Sequence, residues 1–481
     1  MQPYQILILI AAYFGLLFLV SFFSSRAGSN AEFFRANRES PWYIVAFGMI
    51  GASLSGVTFI SLPGTVATDS FSYFQVVLGY TVGYAVIGLI LLPLYYRLNL
   101  TSIYSYLESR FGKYSYKTGA SFFLLSRIVG SSFRLFLVAN VLQLILFDEL
   151  GVPYYATVSA TIFLIWLYTF RSGIKTVVWT DTLQTFFMLL SLGVTLIVVS
   201  DELGITAGGM MNHLSESGLT KIFFFEDWKS SDHFIKQFLS GAFIAIVMTG
   251  LDQDMMQKNL TCRNLKDAQK NMFSFTIVLT IVNMMFLILG VLLTQYADLS
   301  GIDAIKDELF PAIATGGELG IGVAILFILG LIAAAYSSAD GTLTALTTSF
   351  SIDILNIEKR YEEAKQMRIR KQIHIVISIL FIAVMLIFKY AIADKSVINK
   401  LFEFAGYTYG PLLGLYTLGL FTNIKVKDKL VPIVAILAPV LSYLISINSL
   451  VWFGFEFGFF ILILNGFLTL LGLILIRTKH H

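Results

Sequence analysis

Between residues 333 and 342 the chain reads AAAYSSADGT, which sets Ser337, Ser338 and Asp340 side by side inside a long run of Leu, Ile and Phe. On a helix, Ala334, Ser337, Ser338 and Gly341 recur at three- and four-residue spacing and share one face. That face offers two hydroxyl oxygens and whatever carbonyls it meets. Oxygen-only ligation by hydroxyls, carbonyls and one carboxylate suits a hard cation, and a single carboxylate keeps the site weak and monovalent rather than tightly divalent. The alternative is that each hydroxyl bonds the carbonyl one turn back in its own helix. Asp340 and Asp181, the latter in VVWTDTLQ, are carboxylates set within apolar runs; both should face a protein-lined interior and mark an ion or solute route. Arg127 and Arg134, in SRIVGSSFRLFLV, are seven residues apart and lie on one helix face, two turns from each other. Either can fork onto a solute carboxylate, snorkel, or pair with a protein carboxylate, for which Glu403 in LFEFAGYTYGP is the candidate.

The elements that must hold these residues follow from composition. Of 481 residues 57% are hydrophobic, 15% aromatic and 13% charged, with mean hydropathy +0.78, values that belong to an all-α polytopic membrane protein rather than a water-soluble domain. Runs of roughly 20 apolar residues, the length that crosses the hydrocarbon, fall at 3–24, 41–66, 72–97, 118–147, 153–170, 176–200, 234–252, 272–297, 319–352, 369–391, 397–422, 429–446 and 449–476. The first lacks a preceding basic region and an A-x-A-like cleavage site, so it reads as a retained helix. The single cysteine, Cys262, excludes an internal disulfide framework and any cysteine-rich metal site.

The net charge of +3 is no sign of a nucleic-acid partner, but its placement is informative. The odd-numbered connections and the C-terminus, with the span ends that adjoin them, carry 24 of the 33 Lys and Arg, and retention of positive charge on the cytoplasmic side puts the N-terminus outside and the C-terminus inside a plasma membrane. The charged run EKRYEEAKQMRIRK at 358–371 reads as a solvated connector helix. The external stretch 201–233 is too short for a domain of its own. Function is therefore expected within the helices, in a chain that works as a monomer in the bilayer.

Two spans are poor as plain anchors. In 41–66, GMIGASLSGVTFISLPG crowds the centre with small and hydroxylated residues, and Pro63 with Gly64 is expected to close it; SGAFIAIVMTGLDQ, ending the seventh span, is short and again Gly-interrupted. Backbone broken at membrane depth is tolerated where it lines a protein-walled cavity, although small residues also serve close helix packing. Each break opens a set of five spans, the pattern of an inverted-repeat secondary transporter. The domains expected are an extra helix at 1–24, repeats at 41–200 and 233–422, and two further helices at 429–476. No ring-forming or pore-loop repeat of a channel appears. The five histidines, His213, His233, His374, His480 and His481, form no H-E-x-x-H, and no G-x-S-x-G elbow is present, so no enzyme is expected.

Five stretches in order, GASLSGVTFISLPG at 51–64, GIKTVVWTDTLQ at 173–184, GLDQDMMQK at 250–258, AAAYSSADGTLTALTTSFSIDI at 333–354 and FEFAGYTYGPLLGLYTLGLF at 402–421, resemble the sodium/solute symporters, a family that includes galactose, proline, sialic acid, iodide and pantothenate carriers. The resemblance covers nearly the whole chain. It implies a bacterial-leucine-transporter-like fold, alternating access, Na⁺ as coupling ion and import of a small polar organic solute. The main sodium site would use carbonyls of Gly51, Leu54 and Ala334 and the hydroxyls of Ser337 and Ser338. Members with a second sodium use the Asp of the T-D-x-x-Q motif, here Asp181, which would call on Ser337 and Asp340; where those members carry hydroxyls three and four residues past the first site serine, this chain has Asp340 and Gly341. The solute residues of galactose carriers fall on Ala245, Met248 and Phe402, departures that count against a galactose-like pose. Ser53, Ser55, Thr58 and Arg127 look similar to the ligand residues of sialic acid carriers, and Gln75 joins them as a candidate. A carrier of a sugar or a sialic-acid-like carboxylate is the specific alternative within this reading.

Overall fold

Residues 3–24, 30–170, 173–391 and 397–478 are described in the computed structural model. The apolar runs become long helices: α1 (Pro3–Ser24), α2 (Trp42–Asp69), α3 (Tyr73–Arg97), α4 (Lys113–Phe147), α5 (Tyr154–Thr169), α6 (Ile174–Glu202), α7 in two pieces (Phe234–Gly250 and Gln253–Asn259), α8 (Leu265–Ser300), α9 (Ile321–Ile354), α10 (Glu363–Ala391), α11 (Val397–Phe421), α12 (Val431–Phe453) and α13 (Ile461–Leu475). Among the described residues ten helices are long and apolar enough to cross a membrane, eleven if the two pieces of α7 count as one span. Among the described residues there is no strand, only the isolated bridges Ser40–Cys262 and Val426–Arg477. In hydrocarbon a backbone must satisfy itself within each segment, which a helix does.

Several helices outrun the hydropathy that announces them. α4 starts at Lys113 and α8 at Leu265, five and seven residues before the apolar runs, because charged residues end a hydropathy window without ending a hydrogen-bond ladder. α8 is stopped at its start by Asn264, whose side chain accepts from Asp267 N at 2.9 Å, an N-cap. α2 departs from expectation in the other sense. Pro63 does not close it: the helix runs through Pro63 to Asp69, and its break lies earlier, at Ser55.

The bundle is layered by burial. In an apolar 18-residue stretch of α2 and of α9, 78% of residues are buried, against 22% in α1 and α12. The first pair is therefore the core and the second pair its rim, where Ile8, Phe22, Ile436 and Val451 point outward. α9 packs on α6, α2 and α4, α2 packs on α8 and α6, and α3 packs on α7. The last contact is backbone to backbone: a Cβ on Gly79 or Gly241 would collide with Phe238 O or Val76 O, so only glycine lets α3 and α7 cross there. The run 358–371 is less solvated than its charge suggests. Arg370 is 1% exposed, donates to Asn30 Oδ1 at 2.7 Å and lies over the Phe33 ring.

Candidate ion and solute site

At Ser55 the backbone of α2 swings to φ 49°, ψ 169°. A non-glycine residue at positive φ costs on the order of 1 kcal/mol, so the surroundings must hold it. One turn earlier, Gly51 is pinned on both sides. Its N–H donates to Thr185 Oγ1 at 3.1 Å, and its carbonyl accepts from Ser337 Oγ on α9 at 3.1 Å. Ala334 O lies 3.4 Å from both Ser337 Oγ and Ser338 Oγ. Thus Gly51, Ala334, Ser337 and Ser338 meet across the α2–α9 contact, and Leu54 sits immediately before the break, lining the adjacent cavity. The set is hydroxyl and carbonyl oxygen without a carboxylate, suited to a monovalent hard cation. Among the described residues no group of three or more His, Cys, Asp or Glu is placed to hold a metal.

Beside this contact a cavity of about 660 Å³, its mouth included, is enclosed by α2, α3, α4, α7 and α8. Ser53, Ser55, Thr58, Arg127, Arg134, Ala245 and Met248 all line it, as do residues not singled out from the sequence: Tyr73, Tyr80, Tyr84, Thr249 and Asn283. The two arginines differ. Arg127 is committed to protein: its Nε donates to Asp252 Oδ2 at 2.6 Å and its Nη2 to Asp252 Oδ1 at 2.7 Å, a bidentate fork. Its partner is therefore Asp252 and not Glu403, which stands exposed elsewhere. Asp252 also accepts from Tyr409 Oη at 2.5 Å. Arg134 lines the same cavity, has no carboxylate within 4.0 Å among the described residues, and keeps a buried Nε without a hydrogen-bond partner.

The carboxylates of the second cluster are placed otherwise than their types suggest. Asp181 Oδ2 lies 2.8 Å from Lys258 Nζ, both groups 1% exposed, and the same ammonium is 3.6 Å from Asp254 Oδ1. Asp340 does not join Ser337. Its Oδ2 accepts from Tyr168 Oη at 3.0 Å and from Thr180 Oγ1 at 3.3 Å, and its Oδ1 from Gly341 N at 2.6 Å. Asp254 Oδ2 accepts from Thr342 Oγ1 at 3.2 Å. Sequence reasoning missed Asp252, Asp254 and Lys258, although all three stand in the quoted GLDQDMMQK.

A second, wider cleft of about 1760 Å³, its open mouth included, is lined by Asp69, Phe224, Asp232, Glu403 and Glu456, and Tyr73 borders both cavities. Tyr73 Oη lies 2.9 Å from Tyr80 Oη. Gln75 is in neither cavity. It ties down the stretch 201–233, donating to Asp232 O at 2.9 Å and accepting from Phe224 N at 3.2 Å. Phe402 falls within α11, but its side chain lies outside the described residues.

Compared with known proteins, residues 33–425 match the sodium:solute symporter family. The sodium/sialic acid symporter NanT of Aliivibrio fischeri is 26% identical over 486 residues, 95% of this chain and 91% of that protein. Among solved structures, a Na⁺-coupled sialic acid symporter in a substrate-bound outward-open state superposes with a TM-score of 0.81 at 20% identity, over 99% of each chain. Mhp1, a nucleobase-cation-symport-1 family transporter, superposes with a TM-score of 0.56 at 15% identity, over 92% of each chain. These likenesses establish the fold as a helical transporter fold with neighbours of the bacterial-leucine-transporter kind.

Proposed function

The chain belongs to the sodium:solute symporter family, a membrane carrier coupled to Na⁺ and not an enzyme, and we propose that its solute is a sialic-acid-like carboxylate. The observation that carries this reading is Arg134: a guanidinium facing the central cavity with no carboxylate within 4.0 Å among the described residues and with a buried Nε that lacks a hydrogen-bond partner. A buried cation without a partner is costly, and a solute carboxylate relieves that cost with a planar fork that lysine cannot offer. Hydroxyls from Ser53, Ser55, Thr58, Thr249 and the tyrosines around it suit a polyol body. The apolar wall of Ile244, Ala245, Met248 and Leu279 favours a second reading, a compact monocarboxylate.

In the same proposal Na⁺ is held by the carbonyls of Gly51, Leu54 and Ala334 and the hydroxyls of Ser337 and Ser338. The break at Ser55 then serves both ligands, with carbonyls turned to the ion and hydroxyls to the solute, so each ligand orders backbone the other needs. An inside-negative potential adds about 2.3 kcal/mol per 100 mV for each Na⁺ that enters. All thirteen long helices would cross the bilayer with the N-terminus outside, in repeats at 41–200 and 233–422, and the chain would work as a monomer. The wider cleft is then the outer vestibule, and Tyr73 the side chain between it and the solute.

Thermal unfolding of purified protein against N-acetylneuraminate, lactate and galactose, in Na⁺ and again in K⁺, tests the solute. N-acetylneuraminate should raise the melting temperature in Na⁺ only, galactose should not, and Arg134→Ala should remove the shift. Stabilisation by galactose and not by either carboxylate would refute the reading, and lactate alone would select the compact monocarboxylate.

A further inference from the structure

Lys258 stands on the second piece of α7, among charges that hydropathy assigns to a connection between spans. The structure instead buries its ammonium between three helices. Nζ lies 2.8 Å from Asp181 Oδ2 on α6 and 3.6 Å from Asp254 Oδ1 on its own piece of α7, and it abuts α9 at Gly341. We propose that this ammonium is a tethered substitute for a second coupling cation, so that the chain carries its one exchangeable Na⁺ at the α2–α9 contact. The inference rests on the Na⁺-coupled reading above and extends it to stoichiometry.

Three observations converge on it. First, the cluster has the donor character of a cation site, with carboxylates from α6 and α7 meeting the backbone of α9, and neither oxygen of Asp181 has a hydrogen-bond partner apart from this ion pair. Second, room for the ammonium is made by an absent side chain. A Cβ on Gly341 would lie 2.8 Å from Lys258 Nζ and 2.6 Å from Asp254 Oδ1, so the hydroxyl that a two-sodium arrangement needs at this position would take the space the ammonium fills. Third, Asp340 is turned away, with both oxygens engaged by Tyr168, Thr180 and Gly341 N. A free Na⁺ added to the same carboxylates would stand against a like charge at contact distance in a buried setting, where repulsion is screened little.

The tether also has a mechanical consequence. A dissolved ion leaves once per cycle, whereas the Lys258 ammonium is covalently part of the broken helix and stays with the chain.

Equilibrium binding of radioactive Na⁺ to the purified full chain decides the matter. Lys258→Met removes the charge and keeps the stem, and should bind one Na⁺ more per chain than the unaltered protein; an unchanged count overturns the proposal. Asp181→Asn, with Lys258 in place, supplies an independent reading should Lys258→Met fail to fold. Its sodium count should equal that of the unaltered chain, and loss of one Na⁺ would show that Asp181 holds an ion after all. Ser337→Ala with Ser338→Ala separates the two sites. If the unaltered chain binds no Na⁺ while Lys258→Met binds one, the α2–α9 assignment fails and the Lys258 assignment stands.

Discussion

Two helices in this bundle are broken at depth, and they resolve the break in opposite ways. In α7 the chain bends by 70° between Gly250 and Gln253, and side chains reach the exposed backbone. Tyr95 Oη donates to Gly250 O at 2.9 Å and Tyr104 Oη to Leu251 O at 3.0 Å. Asp252 caps the second piece by accepting from Asp254 N at 3.0 Å and Met255 N at 3.3 Å. In α2 a single residue, Ser55, turns out of the helix; one turn before it Gly51 O accepts from the hydroxyl of Ser337, and Ser53, Leu54 and Ser55 line the cavity. A break whose lone pairs are filled by the protein's own donors is a joint; one whose lone pairs face hydroxyls and open space can take a mobile ion. The same division separates Arg127, spent on Asp252, from Arg134, which faces the cavity without such a partner.

The comparison is broken most severely at Asp252. This one carboxylate caps α7, forks onto Arg127 and accepts from Tyr409. Asp252→Ala should cost about 3–5 kcal/mol of stability, because it removes the bidentate partner of a buried guanidinium and leaves it only Asp254 Oδ2 at 3.8 Å, and thermal unfolding in detergent should show a large drop in melting temperature. Asp252→Ala combined with Arg127→Met should recover much of that loss. A mild effect of the single substitution would mean that the α7 joint is not held where the structure places it.

At α2 the expected loss is of affinity rather than of fold. Ser337→Ala with Ser338→Ala deletes the two hydroxyls of the α9 face while leaving the small residues that allow the helices to touch. The Na⁺ concentration giving half-maximal transport should rise about a hundredfold, which is about 2.7 kcal/mol of ion binding, with little change in melting temperature. Unchanged Na⁺ dependence would remove the ion from this contact.

How much of this could be read beforehand depends on the range of the interaction. The spans are local: 153–170 became Tyr154–Thr169 and 72–97 became Tyr73–Arg97, because hydropathy alone decides which residues leave water. The shared face of Ala334, Ser337 and Ser338 is local too, being fixed by helical period, whereas its meeting with Gly51 is what the resemblance to the sodium/solute symporters implies. Lys258 was legible only as a charge near an apolar run, and was counted toward the cytoplasmic side. Its partner Asp181 is remote in sequence, and residue type cannot report that an ammonium is buried against a distant carboxylate. Arg127 and Arg134 share a face by the same period, so nothing local separates the committed arginine from the one open to the cavity; Asp252 does, and it comes from another helix. Pro63 misled because a proline ends a helix in water more readily than in a packed bundle, where neighbours compensate the lost donor.

The smallest predicted effect is the sharpest test of the contrast. Tyr104 is fully buried, its ring tilted against Phe123 with centroids 5.4 Å apart, and its hydroxyl supplies the donor for Leu251 O. Tyr104→Phe keeps the ring packing and removes only that donor, so stability should fall by about 1 kcal/mol, the net worth of one buried hydrogen bond. Half-saturation by Na⁺ should stay within about threefold of the unaltered value, roughly 0.6 kcal/mol, because the freed carbonyl sits at the joint and not at the ion. Melting curves and Na⁺ titrations on the same preparation read both quantities. A change in Na⁺ affinity larger than the change in stability would mean that the α7 break also contributes oxygen to the ion, and the division between a joint and a binding site would have to be given up.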